Sequence, residues 1–67
     1  MNTGKVKWFD STKGYGFIKP DNGGADMFVH ISEVEKAGVN NLDNDQSIGY
    51  EIQTKNRKSS AADLRLL

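Results

Sequence analysis

The 67-residue sequence has no cysteine, one proline, one histidine, one tryptophan and no net charge. Without cysteine there are no disulfides, thiolate zinc sites or thiol nucleophiles, so packing alone must hold the fold together. A lone histidine cannot form the usual zinc clusters. No apolar run approaches the roughly 18 residues of a spanning helix, and residues 1–7 carry no hydrophobic block of a secretory signal. These absences predict a soluble cytoplasmic protein without cofactor or membrane partner. A chain this short buries only about 60% of the surface its unfolded form exposes, which allows one domain, residues 1–67, with little stability in reserve.

Zero net charge also argues against a simple polycation that coats phosphates, but the total hides an asymmetry. Lys5, Lys7, Lys13 and Lys19 against Asp10 leave residues 1–20 at +3, and Lys55, Arg57, Lys58 and Arg65 against Asp63 leave residues 52–67 at +3. The intervening residues 21–51, with seven carboxylates against Lys36, stand at −6. The folded protein is therefore expected to have a basic side and an acidic side.

Short apolar segments separated by turn chemistry, with no sustained helical period, predict an all-β chain. Residues 5–10 read as the first strand. A turn ending in Gly14 leads to a second strand over 15–19, closed by Pro20. Asp21-Asn22-Gly23-Gly24 is a loop signal, followed by a third strand over 26–30. Ser32 with Glu35 fits a capping box and Gly38 a helix end, giving a short helical turn over 32–37. Ile48, Tyr50 and Ile52 alternate with Gly49 and Glu51 as a fourth strand, residues 55–60 form a basic loop, and 63–67 make a fifth strand. Five short strands favour a closed or nearly closed barrel, because closure removes exposed edges.

The strand period then sorts the aromatics. Tyr15 and Phe17 point one way and Ile18 the other; Phe28 and His30 oppose Met27 and Val29. Val6, Ile18, Val29, Ile48, Ile52 and Leu64 supply a core, leaving Tyr15, Phe17, Phe28 and His30 outside. Adjacent Trp8 and Phe9 cannot both follow the alternation inward, so Phe9 is placed partly inside and Trp8 outside, across a bulge. The opposite register would bury His30 with Lys7 and Lys19, at the cost of unpaired buried charges. Exposed rings interleaved with lysines suit single-stranded nucleic acid, whose bases stack on rings while cations hold the phosphates. Gly14 and Gly16 are expected to leave room for a flat base, or to serve turn and packing geometry.

Lys13-Gly14-Tyr15-Gly16-Phe17-Ile18 resembles the first ribonucleoprotein motif, and Met27-Phe28-Val29-His30-Ile31 the second. Their order is the reverse of that in an RNA recognition motif. With Gly4-Lys5-Val6-Lys7-Trp8-Phe9 in front, and Asn56-Arg57 and Ala61-Ala62 near the end, the sequence resembles the bacterial cold-shock proteins over essentially its whole length. The resemblance implies a five-stranded antiparallel oligonucleotide-binding barrel. It implies a non-enzymatic monomer that binds single-stranded RNA and DNA with little sequence specificity, melts RNA structure as a chaperone, and acts in antitermination, translation and stress or cold adaptation. By position, the implied binding residues are Lys7, Trp8, Phe9, Lys13, Tyr15, Phe17, Phe28, His30, Ile31, Arg57 and Lys58. Ile31 and Val39 stand where the family usually has aromatics, and Lys58-Ser59 where it usually has Gly-Pro. Two missing platforms imply weaker binding, which Phe at both positions should restore.

Two other functions are weighed against this. His30 and Ser32, oriented by Asp26 or Glu33, would form a hydrolase-like arrangement, but Ser32 is better explained as a cap and so small a barrel has little depth for a water-excluding pocket. Exposed aromatics also anchor protein partners, and salt dependence separates that case from phosphate binding.

Overall fold

The computed structural model describes residues 1–67. Its elements are β1 (Asn2–Asp10), β2 (Tyr15–Pro20), β3 (Met27–His30), α1 (Ile31–Lys36), β4 (Ser47–Lys55) and β5 (Lys58–Leu66). The sheet closes into the ring β1-β2-β3-β5-β4, consistent with the oligonucleotide-binding fold. Four pairings are antiparallel, as the sequence predicts, and the seam between β3 and β5 is parallel, with Phe28 opposite Ser60. A ring of five strands cannot alternate direction all the way round, so closure requires one parallel seam.

Each turn is held by the chemistry nearest to it. The Asp10 carboxylate accepts from the backbone N–H of Thr12 (2.9 Å) and Lys13 (3.0 Å), and Gly14, at φ +85°, passes the chain into β2. The expected basic loop over 55–60 is instead a hairpin. Asn56 and Arg57, both left-handed at φ 52° and 64°, form a two-residue turn that brings Lys55 opposite Lys58. The helix also differs from expectation. His30, in extended conformation, is its N-cap, and its Nδ1 accepts from the Ser32 N–H at 3.1 Å. Because the chain passes from β3 into α1 without a linker, the last strand residue, not Ser32, is the one whose side chain reaches the open N–H. Glu35 makes no capping box, and Gly38, at φ +91°, follows the helix end as predicted.

Val6, Ile18, Val29, Val34, Leu42, Ile48, Tyr50, Ala61 and Leu64 make the core. Ile52, expected inside, is 51% exposed, and Tyr50 is buried in its place. Pairing of Gly49 with Arg65 but Glu51 with Ala62 inserts one extra residue in β5, where Asp63 is left-handed at φ 49°. Beyond this bulge the β4–β5 hairpin runs out of the body and residues 51–59 are exposed on both faces. Ile52 keeps the parity of Ile48 and Tyr50 but has no opposing layer. Burial, and then the Asp21 carboxylate, push the Tyr50 phenol above the usual tyrosine range.

Candidate nucleic-acid interface

The geometry of β1 decides which of its two adjacent rings faces out. Val6 pairs with Ile18 and Trp8 with Phe17, so β1 carries one more residue than β2 over this step. The extra residue, Lys7, leaves two successive side chains on the outer face. Val6 is fully buried, Lys7 is exposed, Trp8 is half-buried, and Phe9 packs against the core. Phe9 thus lies inward, under the ring face, while Trp8 joins it. Register does the rest: Tyr15 stands opposite His30 and Phe17 opposite Phe28, one residue out of phase with buried Val29.

Trp8, Tyr15, Phe17 and Phe28 form one continuous half-exposed patch. The Trp8 ring centroid lies 5.5 Å from both Tyr15 and Phe17, edge-on to each. Phe28 lies 5.9 Å from Phe17, edge-on, and 5.8 Å from Tyr15, where the two planes differ by only 26°. The rings brace one another and keep part of each face toward solvent, a preferred aromatic geometry that needs no core behind it. A Cβ on Gly16 would fall 2.7 Å from the Phe9 Cα, so this glycine serves the close approach of β1 and β2 beneath the patch and does not clear space above it. Gly14 serves the turn.

Cations fringe the rings. Exposed Lys5 and Lys19 stand directly opposite each other beyond Trp8 and Phe17, and Lys13 is exposed in the β1–β2 turn. Lys7 Nζ is bonded to Asp26 Oδ2 at 2.8 Å in an exposed ion pair. Arg57 and Lys58 are exposed at the far hairpin. At the edge beyond Tyr15, exposed His30 has its Nδ1 committed as acceptor to Ser32 N–H and lies 3.0 Å from Ser32 Oγ. In the neutral ring the proton then sits on Nε2, which makes that nitrogen a hydrogen-bond donor toward solvent. Ile31, first residue of α1, is half-buried. Val39 packs against the core, so the position is filled by structure and offers no platform.

The hydrolase-like set is not assembled. Asp26 is bonded to Lys7, and Glu33 is held by Lys36 Nζ at 3.2 Å and by the Asp63 N–H at 3.4 Å. Neither carboxylate orients His30. Asp26 as partner of Lys7 was not visible in the sequence, since a 19-residue separation across strands leaves no periodic signal; Ser32, two residues from His30, was read beside it but as a helix cap, and it is His30 that caps while Ser32 holds its ring.

Residues 2–67 match the family model described as the 'Cold-shock' DNA-binding domain. Cold shock protein CspA of Rhizobium meliloti is 57% identical over 67 residues, covering 97% of each chain. The cold shock-like protein CspA of Rickettsia bellii is 49% identical over 63 residues, 94% of this chain and 90% of its own. The cold shock-like protein of Thermotoga maritima is 48% identical over 64 residues, 96% of each. With the ring face, the fold and these likenesses in agreement along the whole sequence, the chain belongs to the nucleic-acid-binding cold-shock domain family.

Proposed function

We propose that this protein is a cytoplasmic, monomeric, non-enzymatic binder of single-stranded RNA and DNA, acting as one cold-shock domain with little sequence specificity. The observation that carries the reading is the patch of four half-exposed rings bordered by lysines. Trp8, Tyr15, Phe17 and Phe28 take the faces of successive bases, with His30 as a lateral platform and Nε2–H donor to a base carbonyl or phosphate oxygen. Lys7, Lys13, Arg57 and Lys58 hold the backbone. Ile31 contributes an aliphatic contact where the family has a ring, and Phe9 supports Trp8 from below. Stacking tolerates any base, since every base has a π-face, and this accounts for low specificity.

The same chemistry makes an RNA chaperone. A platform worth about 1–3 kcal/mol per base competes with the stacking of a duplex step, about 1.4 kcal/mol in DNA, so short or imperfect helices open while long ones persist. Release of bases from hairpins would act on transcription antitermination and on translation, most strongly when low temperature stabilises RNA structure.

Trp8 is the sole tryptophan. Titration with a pyrimidine-rich oligonucleotide should quench its fluorescence, and affinity should fall with salt at a slope of about −0.7 per phosphate neutralised. Absence of quenching at micromolar oligonucleotide would overturn the reading, and salt-independent binding of a protein partner in its place would favour an interaction module.

A further inference from the structure

The β4–β5 hairpin carries an arrangement that folding does not explain. Lys55 and Lys58 are the last cross-strand pair before the turn, directly opposite each other and therefore on the same side of the hairpin. Like charges in that position are destabilising. Neither lysine has a carboxylate within ion-pairing distance: the three ion pairs of the protein are Met1 amino terminus with Glu51, Lys7 with Asp26, and Lys36 with Glu33. Arg57 adds a third cation in the turn between them. The two-residue turn, with both residues left-handed, fixes this spacing in a way that a loop of six residues would not.

The two lysines also face something. With Asn56, Ser59 and Ser60 they line an open cleft of about 680 Å³ whose single apolar wall is Phe28. Ser60 is the residue paired with Phe28 across the parallel seam, so the cleft is continuous with the last ring of the aromatic patch. A ligand that stacks on Phe28 and continues in this direction meets two ammonium groups and two hydroxyls, with no acidic side chain in the cleft wall. That set of donors matches a singly charged phosphodiester, which would bridge the two lysines and relieve their repulsion.

We propose that this cleft is a phosphate-anchoring extension of the interface, in which Lys55 and Lys58 together hold the phosphodiester that flanks the base on Phe28. The inference rests on the single-strand binding function proposed above, in which Lys58 already meets the backbone, and adds Lys55 as its partner and the phosphate beside the Phe28 base as the group the two hold. The test is the double variant K55Q/K58Q, compared with the unsubstituted chain by fluorescence titration with oligo(dT) across a salt series. The salt slope should become less negative by about 0.7, and binding at about 50 mM salt should weaken about eightfold, the factor by which that slope changes affinity between 50 mM and 1 M. Quenching amplitude at saturation should stay the same, because the Trp8 end is untouched, and Tm should hold or rise as the like-charge pair is removed.

Unchanged affinity and slope in the double variant, with normal quenching, would overturn the proposal while leaving single-strand binding intact. So would a drop in affinity that tracks a fall in Tm without change of slope. Failure of the unsubstituted chain to quench would instead refute the binding function itself.

Discussion

Removing the Phe17 ring separates a platform from a packing residue. Phe17 sits at the middle of the patch, 5.5 Å from Trp8, 6.4 Å from Tyr15 and 5.9 Å from Phe28, and lies outside the core cluster. Truncating a fully buried Phe to Ala costs about 3–5 kcal/mol, so a half-buried ring braced by three others should cost about 2 kcal/mol in stability. Loss of a stacking platform costs about 1–3 kcal/mol in binding, or about 5- to 150-fold in Kd. Phe17→Ala alone confounds the two. Phe17→Leu restores apolar volume and most of the stability but offers no π-face, so its Tm should approach that of the parent while oligonucleotide affinity stays low. Thermal unfolding by circular dichroism gives the first quantity, and anisotropy of a labelled single strand gives the second without relying on Trp8. If Phe17→Leu binds as tightly as the parent, or if the Ala loss equals what partial unfolding explains, the rings are structural and the stacking mechanism fails.

Three further outcomes follow from particular contacts. Replacing Asp26 with Asn frees Lys7 from its 2.8 Å partner and removes a charge that repels phosphate, so affinity at low salt should rise up to about fivefold, with stability changed by less than about 1 kcal/mol as befits an exposed pair; weaker binding would count against a phosphate role for Lys7. Ile31→Phe adds a ring beside His30 and should tighten binding by about 1 kcal/mol, whereas Val39→Phe should cost stability because Val39 packs against the core; equal gains at the two sites would refute that distinction. Tyr50 has its folded pKa raised, by burial first and by Asp21 second, so its neutral phenol favours the folded state. That contribution is complete below about pH 10 and is lost as pH rises through the folded pKa, so Tyr50→Phe should lose less stability than the parent on alkaline titration, and parallel curves would show that the phenol plays no part.

What the sequence made legible was whatever the two-residue strand period controls. Tyr15, Phe17 and Phe28 alternate with residues that must be buried, and Trp8-Phe9 breaks the alternation in a way that only a bulge resolves; the bulge at Lys7 does so. The period states which face a side chain takes but not whether anything lies opposite, which is why Ile52 reads as core and stands exposed on the hairpin arm. Turns were legible where glycine or Asp marks them, as at Gly14 and Asp21-Asn22-Gly23-Gly24, and not at Asn56-Arg57, where two residues without the Asn-Gly signature adopt the left-handed conformation. The His30 cap was hidden for a related reason: histidine is not among the preferred N-cap residues, and only the direct passage from β3 into α1 puts its Nδ1 within reach of Ser32 N–H.

The placement of large apolar side chains ties the fold to its use. The core is built from valines, isoleucines, alanines and leucines with one tyrosine, and that tyrosine is its largest fully buried side chain. The tryptophan and all three phenylalanines stay outside the fully buried set: Phe9 packs against the core from its edge, and Trp8, Phe17 and Phe28 stand on the outer face. A chain of this length selected for stability alone would bury its bulkiest rings, since area removed from water is the main stabilising term and a small domain has little of it. Placing them on the wet side of β1, β2 and β3, braced edge to edge and bordered by unpaired Lys5, Lys13 and Lys19, lowers stability in return for a surface that water covers poorly and stacked bases cover well. Local conflict between burial and position of this kind is expected where function overrides packing. It follows that polar substitution at two of the patch rings, Trp8 and Phe28, should weaken oligonucleotide binding far more than it weakens the fold, whereas the same substitution at Val6 or Ile18, both fully buried, should abolish folding and binding together.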